Sequence, residues 1–190
     1  MTIADDMRTI VRAALFGDPA LDSLGVVGND AASLVWSITP GVPPNRIGGS
    51  DYTGGVPFSR ELLVELVGRT MRHRAAGGAP TDEDLDRLRE IHPACQSVCE
   101  CNAGWSDLLH STFAWIEETG DLVWRTEQIK EKWAGLRLYF SGDPGVLGRQ
   151  IIDAAEHVSM HICETCGAPG RVRHRGGWWL TSCDQHAPID

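Results

Sequence analysis

The tail "CETCGAPGRVRHRGGWWLTSCDQH" constrains this chain more than any other stretch. Cys163 and Cys166 form a C-x2-C pair, and sixteen residues later Cys183 and His186 form a C-x2-H pair. Two short chelating pairs separated by one hairpin's length are what a tetrahedral Cys3His zinc site requires. The intervening "RVRHR" and "WWLTS" read as two strands, because Gly176-Gly177 between them suits a primed turn. Gly167 and Gly170 relieve the tight backbone after the first pair. With all four positions filled by side chains, no open position remains for an activated water, so the expected role of this one zinc ion is structural. Such a site contributes on the order of 10 kcal/mol to folding a segment this small.

His92, Cys95, Cys99 and Cys101 form a second cluster within ten residues. Their spacing is unlike that of paired zinc knuckles, and the reading is free thiols at the entry to the next helix, with a second metal as the alternative. The compartment bears on this. No apolar run reaches the roughly 18–20 residues of a membrane helix, and "MTIADDMRTIVRAALFG" has acids where a signal peptide carries a basic region. The expectation is a cytoplasmic protein whose six cysteines serve as ligands or free thiols rather than disulfides.

Periodicity predicts an α+β fold with helices packed on a small antiparallel sheet and a C-terminal zinc-stabilised hairpin. A mainly helical part is expected over 1–98, an α+β core over 99–162 and the zinc hairpin over 163–190. Helices are predicted over 4–16, 60–76 (capped by Ser59), 82–92 (started by Thr81), 105–118 and 144–160, with short strands inside 23–38. In the last helix, Val146, Leu147, Ile151, Ala154, Ala155 and Val158 form the expected inner stripe. Residues 39–58 hold five glycines and four prolines; the reading is a surface loop, and the sharper alternative is a binding loop using Asn45, Arg46, Asp51 and Tyr52.

The segment "KEKWAGLRLYF" (130–140) reads as a hairpin turning near Ala134-Gly135. Strand alternation then puts Lys130, Lys132, Arg137 and Tyr139 on one face, and Ile129, Trp133, Leu136, Leu138 and Phe140 on the other, against the helices. Glu131 falls among the apolar positions and needs a partner. Three cations and a phenol make a candidate anion site, with a solvated sheet face as the plain alternative. In the zinc hairpin Arg171, Arg173 and Arg175 share a strand parity beside Trp178 and Trp179, a combination suited to stacking on a base and clamping a phosphate. Against that stands the charge: 17 basic and 26 acidic side chains leave a net −9, the wrong sign for a general nucleic-acid binder.

"GWSDLL" (104–109), "KEKWAGLRLYF" and the closing C-x2-C…C-x2-H element occur in this order in a family of small phage and prophage proteins, which this chain resembles over about residues 99–187. Ala134 stands where that family has glycine after the aromatic residue. The resemblance implies a phage-related origin and no particular reaction. By analogy with phage accessory proteins, it implies counter-defence in the cytoplasm of a bacterial host, by sequestering a nucleotide-like signal or blocking a host defence protein.

The expected function is therefore a non-catalytic binding protein that captures an anionic ligand through Lys130, Lys132, Arg137 and Tyr139, joined by Arg46 and Tyr52, with homo-oligomerisation left open. One alternative is a nucleic-acid-binding module built on Arg171, Arg173, Arg175 and Trp178. Another is a small hydrolase using Glu131, or His157 with Asp153, as acid and base, with Glu156 and His161 nearby; no P-loop, nucleophile elbow or open metal triad supports it.

Overall fold

The computed structural model describes residues 2–43, 57–120 and 123–188. Asn45, Arg46, Asp51 and Tyr52 lie outside the described residues. The fold is α+β. In chain order it runs α1 (Ile3–Ala14), β1 (Gly25–Val27), β2 (Val35–Ser37), α2 (Arg60–Gly77), α3 (Asp82–Ile91), β3 (Cys99–Glu100), α4 (Ser106–Glu118), β4 (Trp124–Lys132), β5 (Gly135–Gly142), α5 (Gly145–Ser159), β6 (Arg171–Arg175) and β7 (Trp178–Ser182).

Local chemistry explains the helix starts. Thr2 and Asp5 form a capping box ahead of α1, and Thr81 and Asp84 form one ahead of α3. Ser59 Oγ accepts the Leu62 N–H at 3.2 Å, capping α2. Trp105, Leu108, Leu109, Phe113 and Ile116 of the α4 region are all buried, as the helical spacing requires. One apolar core runs from Ala4 to Ile162, crossing the expected 98/99 boundary, and includes residues of α1, α2, α4 and α5. No helix among the described residues is long and apolar enough to cross a membrane.

The central sheet has the order β3-β4-β5, with β3 parallel to β4 and β5 antiparallel to it. At the free edge of β5 the helix α5 supplies the missing acceptors: Leu136 N–H donates to Ser159 Oγ at 2.8 Å and Leu138 N–H to Glu156 Oε1 at 2.9 Å. An edge closed by helix side chains offers no ladder to another chain.

Two expectations need correction. The β4–β5 turn is Trp133-Ala134, not Ala134-Gly135: both residues have positive φ, +56° and +65°, as a two-residue primed turn demands. Trp133 therefore leaves the apolar face and stands 68% exposed at the tip. In α5, Val146 and Leu147 are 80% and 40% exposed. Extending the stripe of Ile151, Ile152, Ala155 and Val158 one turn backwards lands on Gly148, where a Cβ would meet Pro144 at 2.9 Å and Ile116 at 3.4 Å.

Candidate functional site

The four tail residues converge. Cys163, Cys166, Cys183 and His186 bring their ligand atoms within 4.8 Å of one another, forming a group able to hold one metal ion. Cys166 Sγ and Cys183 Sγ are 3.8 Å apart, and His186 Nδ1 lies 3.7 Å from Cys163 Sγ and 3.3 Å from Cys183 Sγ. A tetrahedron with metal–sulfur arms of about 2.3 Å has edges of about 3.8 Å, so the donor spacing fits. Burial pushes the Cys163 thiol up, but the backbone N–H groups of Cys183, Cys166 and Thr165 together outweigh it and bring it down to about 7. A thiol that ionises readily is a prepared metal ligand.

The three sequence motifs meet around this knuckle. Gly104 N–H donates to Glu164 O at 2.8 Å, and a Cβ at Gly104 would stand 2.2 Å from Cys163 O, so only glycine permits the approach. Trp105 Nε1 donates to Ile162 O at 3.0 Å inside the core. From the hairpin, Thr181 Oγ1 donates to Ala134 O at 2.6 Å, while Glu131 accepts the Ala134 N–H at 2.6 Å. The carboxylate that lacked a partner in sequence is thus the brace of a left-handed turn. From α2, Arg74 packs so closely on Gly167 that a Cβ there would meet Arg74 Nη2 at 1.5 Å. Much of what is distinctive in GWSDLL and KEKWAGLRLYF thus builds the seam between knuckle and core.

The sheet face is only partly as expected. Lys130 and Arg137 are cross-strand partners, and Lys130 Nζ sits 5.2 Å from the Tyr139 ring centroid. Lys132 and Tyr139 are exposed. Arg137 turns away: its Nη1 donates to Leu136 O at 2.6 Å, and its Nε lies 3.8 Å from Glu156 Oε2. Burial holds Glu156 up at about 7, against the opposing pull of the Leu138 N–H and Arg137. In the zinc hairpin, Arg171 and Arg173 share Asp184, at 3.1 and 2.5 Å, while Arg175 stands across from Trp178, which is 78% exposed.

Other candidates have structural employment. His157 Nε2 donates to Ala14 O at 2.9 Å, tying α5 to α1. His92 uses both nitrogens elsewhere: Nδ1 lies 3.0 Å from a Glu117 carboxylate oxygen and Nε2 lies 2.9 Å from His110 Nδ1. It is therefore not aimed at Cys95, Cys99 and Cys101, and the tail group is the only converging set of metal ligands among the described residues.

Sequence reasoning overlooked a cleft of about 590 Å³ between α2 and α4, lined by Ala31, Ala32, Arg69, Arg72, His73, Ala76, His110, Ser111, Ala114 and Glu118. His73 and His110 stack with ring centroids 3.9 Å apart. His73 Nδ1 is 2.6 Å from Asp107 Oδ1, and Asp107 Oδ2 accepts Arg74 Nε at 2.9 Å. His110 Nδ1 is held by His92, itself held by Glu117. Burial, then the neighbouring His73 and His92, push His110 down to about 4 despite Asp107. Arg69 is committed to Glu65 at 2.7 Å and to Glu118 at 2.8 Å. Arg72 lies over the Trp36 ring at 4.5 Å and, among the described residues, makes its one hydrogen bond through Nη2 to Leu34 O, which leaves the rest of its fork without a described hydrogen-bond partner. The available signal was the spacing 69, 72, 73, 76 on α2, opposite Asp107 and His110 at i,i+3 on α4. No protein-family model, curated protein or solved structure matches the chain.

Proposed function

We propose that this chain is a non-catalytic binding protein, stabilised by a single structural zinc ion in the tail group, that captures an anionic, nucleotide-like ligand in the α2–α4 cleft. One observation carries the reading: two imidazoles, each fixed through Nδ1, line one cleft together with the guanidinium of Arg72. A concave pocket with a few oriented polar groups and a perturbed titratable residue is how small-molecule sites are built. Three thiolates and an imidazole form a donor set suited to zinc. With no coordination position open, the metal supplies stability rather than chemistry. The motif resemblance supports a phage-type accessory role in the host cytoplasm, in which capturing a nucleotide-like signal would blunt a host defence.

Native mass spectrometry with a mixture of mononucleotides, cyclic dinucleotides and ADP-ribose tests both parts. The expected spectrum shows one zinc per chain and a retained adduct that disappears in Arg72→Glu but persists in Lys130→Glu. An adduct lost in Lys130→Glu and kept in Arg72→Glu would move the site to the sheet face. A second reading rests on the tip formed by exposed Trp133 beside Lys132, at the end of a strand face that also exposes Tyr139. An aromatic anchor rimmed by cations suits an acidic protein surface, such as that of a host defence protein. Pull-down from host lysate with and without Trp133→Ser tests that reading; equal capture by both forms would remove it.

A further inference from the structure

The hydrogen-bond chemistry of the cleft narrows the class of ligand. A carboxylate only accepts, so Glu117 requires His92 to carry its proton on Nδ1. A neutral His92 then has a bare Nε2, which must accept from His110 Nδ1–H at 2.9 Å. In turn, the Nε2 of neutral His110 is a bare lone pair, and among the described residues nothing donates to it. By the same argument His73 gives its Nδ1 proton to Asp107. The cleft thus combines a cation, the open part of the Arg72 fork, with at least one fixed acceptor. An anion whose atoms all accept would meet the guanidinium well and the His110 lone pair badly.

We infer that the cleft selects an anion that brings its own hydrogen-bond donor, and that the class of ligand is hydrogen phosphate or a phosphate monoester with a neighbouring sugar hydroxyl rather than an oxyanion with no donor: phosphate oxygens rest on Arg72 while the P–OH, or that hydroxyl, donates to Nε2 of His110. This rests on the cleft reading above and deepens it. The alanines at 31, 32, 76 and 114 give the same space apolar walls, suited to the sugar or ring of such an ester. Ser111 also lines the cleft.

Phosphate and sulfate separate the two claims, since near neutral pH hydrogen phosphate carries an O–H and sulfate carries none. Calorimetric titration at pH 7 and equal ionic strength should show inorganic phosphate binding at least about tenfold more tightly than sulfate, the cost of an acceptor facing an acceptor. His110→Phe, which removes the acceptor, should erase that preference while Arg72→Glu abolishes binding of both. Histidine 15N spectra of the unliganded protein should show Nε2 of His110 unprotonated, a readout that needs no variant. Equal affinity for the two anions, or a protonated Nε2, overturns this inference and leaves simple charge recognition. Binding of neither anion overturns the cleft reading as well.

Discussion

The knuckle seam and the α2–α4 cleft are built on opposite principles. At the seam, backbone carbonyls accept from distant parts of the chain: Glu164 O from the Gly104 N–H, Ile162 O from the Trp105 indole and Ala134 O from the Thr181 hydroxyl. In the cleft, polar side chains are held by partners on one side and left unanswered on the other. The first arrangement lowers energy by completing hydrogen bonds; the second keeps recognition groups oriented in advance of a ligand. Asp107 joins the two, with one carboxylate oxygen on His73 in the cleft and the other on Arg74, which abuts the knuckle at Gly167. Oriented groups at the surface thus rest on a rigid interior.

If the metal holds the seam, its removal is the largest perturbation available. Chelation, or Cys163→Ser, should remove on the order of 10 kcal/mol from the knuckle and lower the thermal midpoint sharply; calorimetry showing an unchanged transition would sever metal from fold. Asp107→Ala strikes both regions, because it strands the buried Arg74 guanidinium. It should cost about 3–5 kcal/mol in chemical denaturation, whereas a cost below 1 kcal/mol would mean the two regions are unlinked. Gly104→Ala touches the seam alone and should cost about 1–3 kcal/mol through overpacking against Cys163 O, with cleft binding preserved in whatever protein remains folded.

Protonation provides a gentler probe of the cleft. His110 has its folded pKa near 4, below the ordinary histidine value of 6.5, so the unfolded chain binds more protons between those values. Its contribution to stability is present above pH 6.5 and is lost as the pH falls towards 4. Denaturant midpoints measured from pH 7.5 to 4.5 should fall less steeply in His110→Phe than in the parent; parallel curves would show that His110 is not held neutral. The smallest effect belongs to the turn. Ala134→Gly relieves a left-handed residue at φ +65° and should stabilise the protein by about 1 kcal/mol, while leaving ligand binding unchanged.

The seam was partly legible in the sequence and the cleft was not. Cys163, Cys166, Cys183 and His186 announce themselves because metal ligation demands residue types at short fixed spacings. The predicted helix over 105–118 likewise carries Leu108, Phe113 and Ile116 at a spacing that puts them on one face, and all three are buried. The purpose of Gly104 and Glu131 was hidden, since a backbone approach between residues sixty positions apart leaves no periodic trace. The turn was displaced by one residue because Trp and Ala carry no preference for positive φ; the contacts from Glu131 and Thr181 impose it. His73 is on α2, His92 just beyond α3, and Asp107, His110 and Glu117 on α4, so their two sets of hydrogen bonds exist only once these three helices pack together. The cations of KEKWAGLRLYF drew notice by density along the chain, yet Arg137 is turned to Glu156.

The most direct test of the division between seam and cleft is a backbone amide NMR spectrum of the zinc-loaded protein titrated with inorganic phosphate. Shifts confined to residues 31–32, 69–76 and 107–118, with the amides of 131–134 and 162–170 unmoved, are the predicted result. Shifts centred on Lys130, Lys132 and Tyr139 would contradict it and return the binding site to the open sheet face.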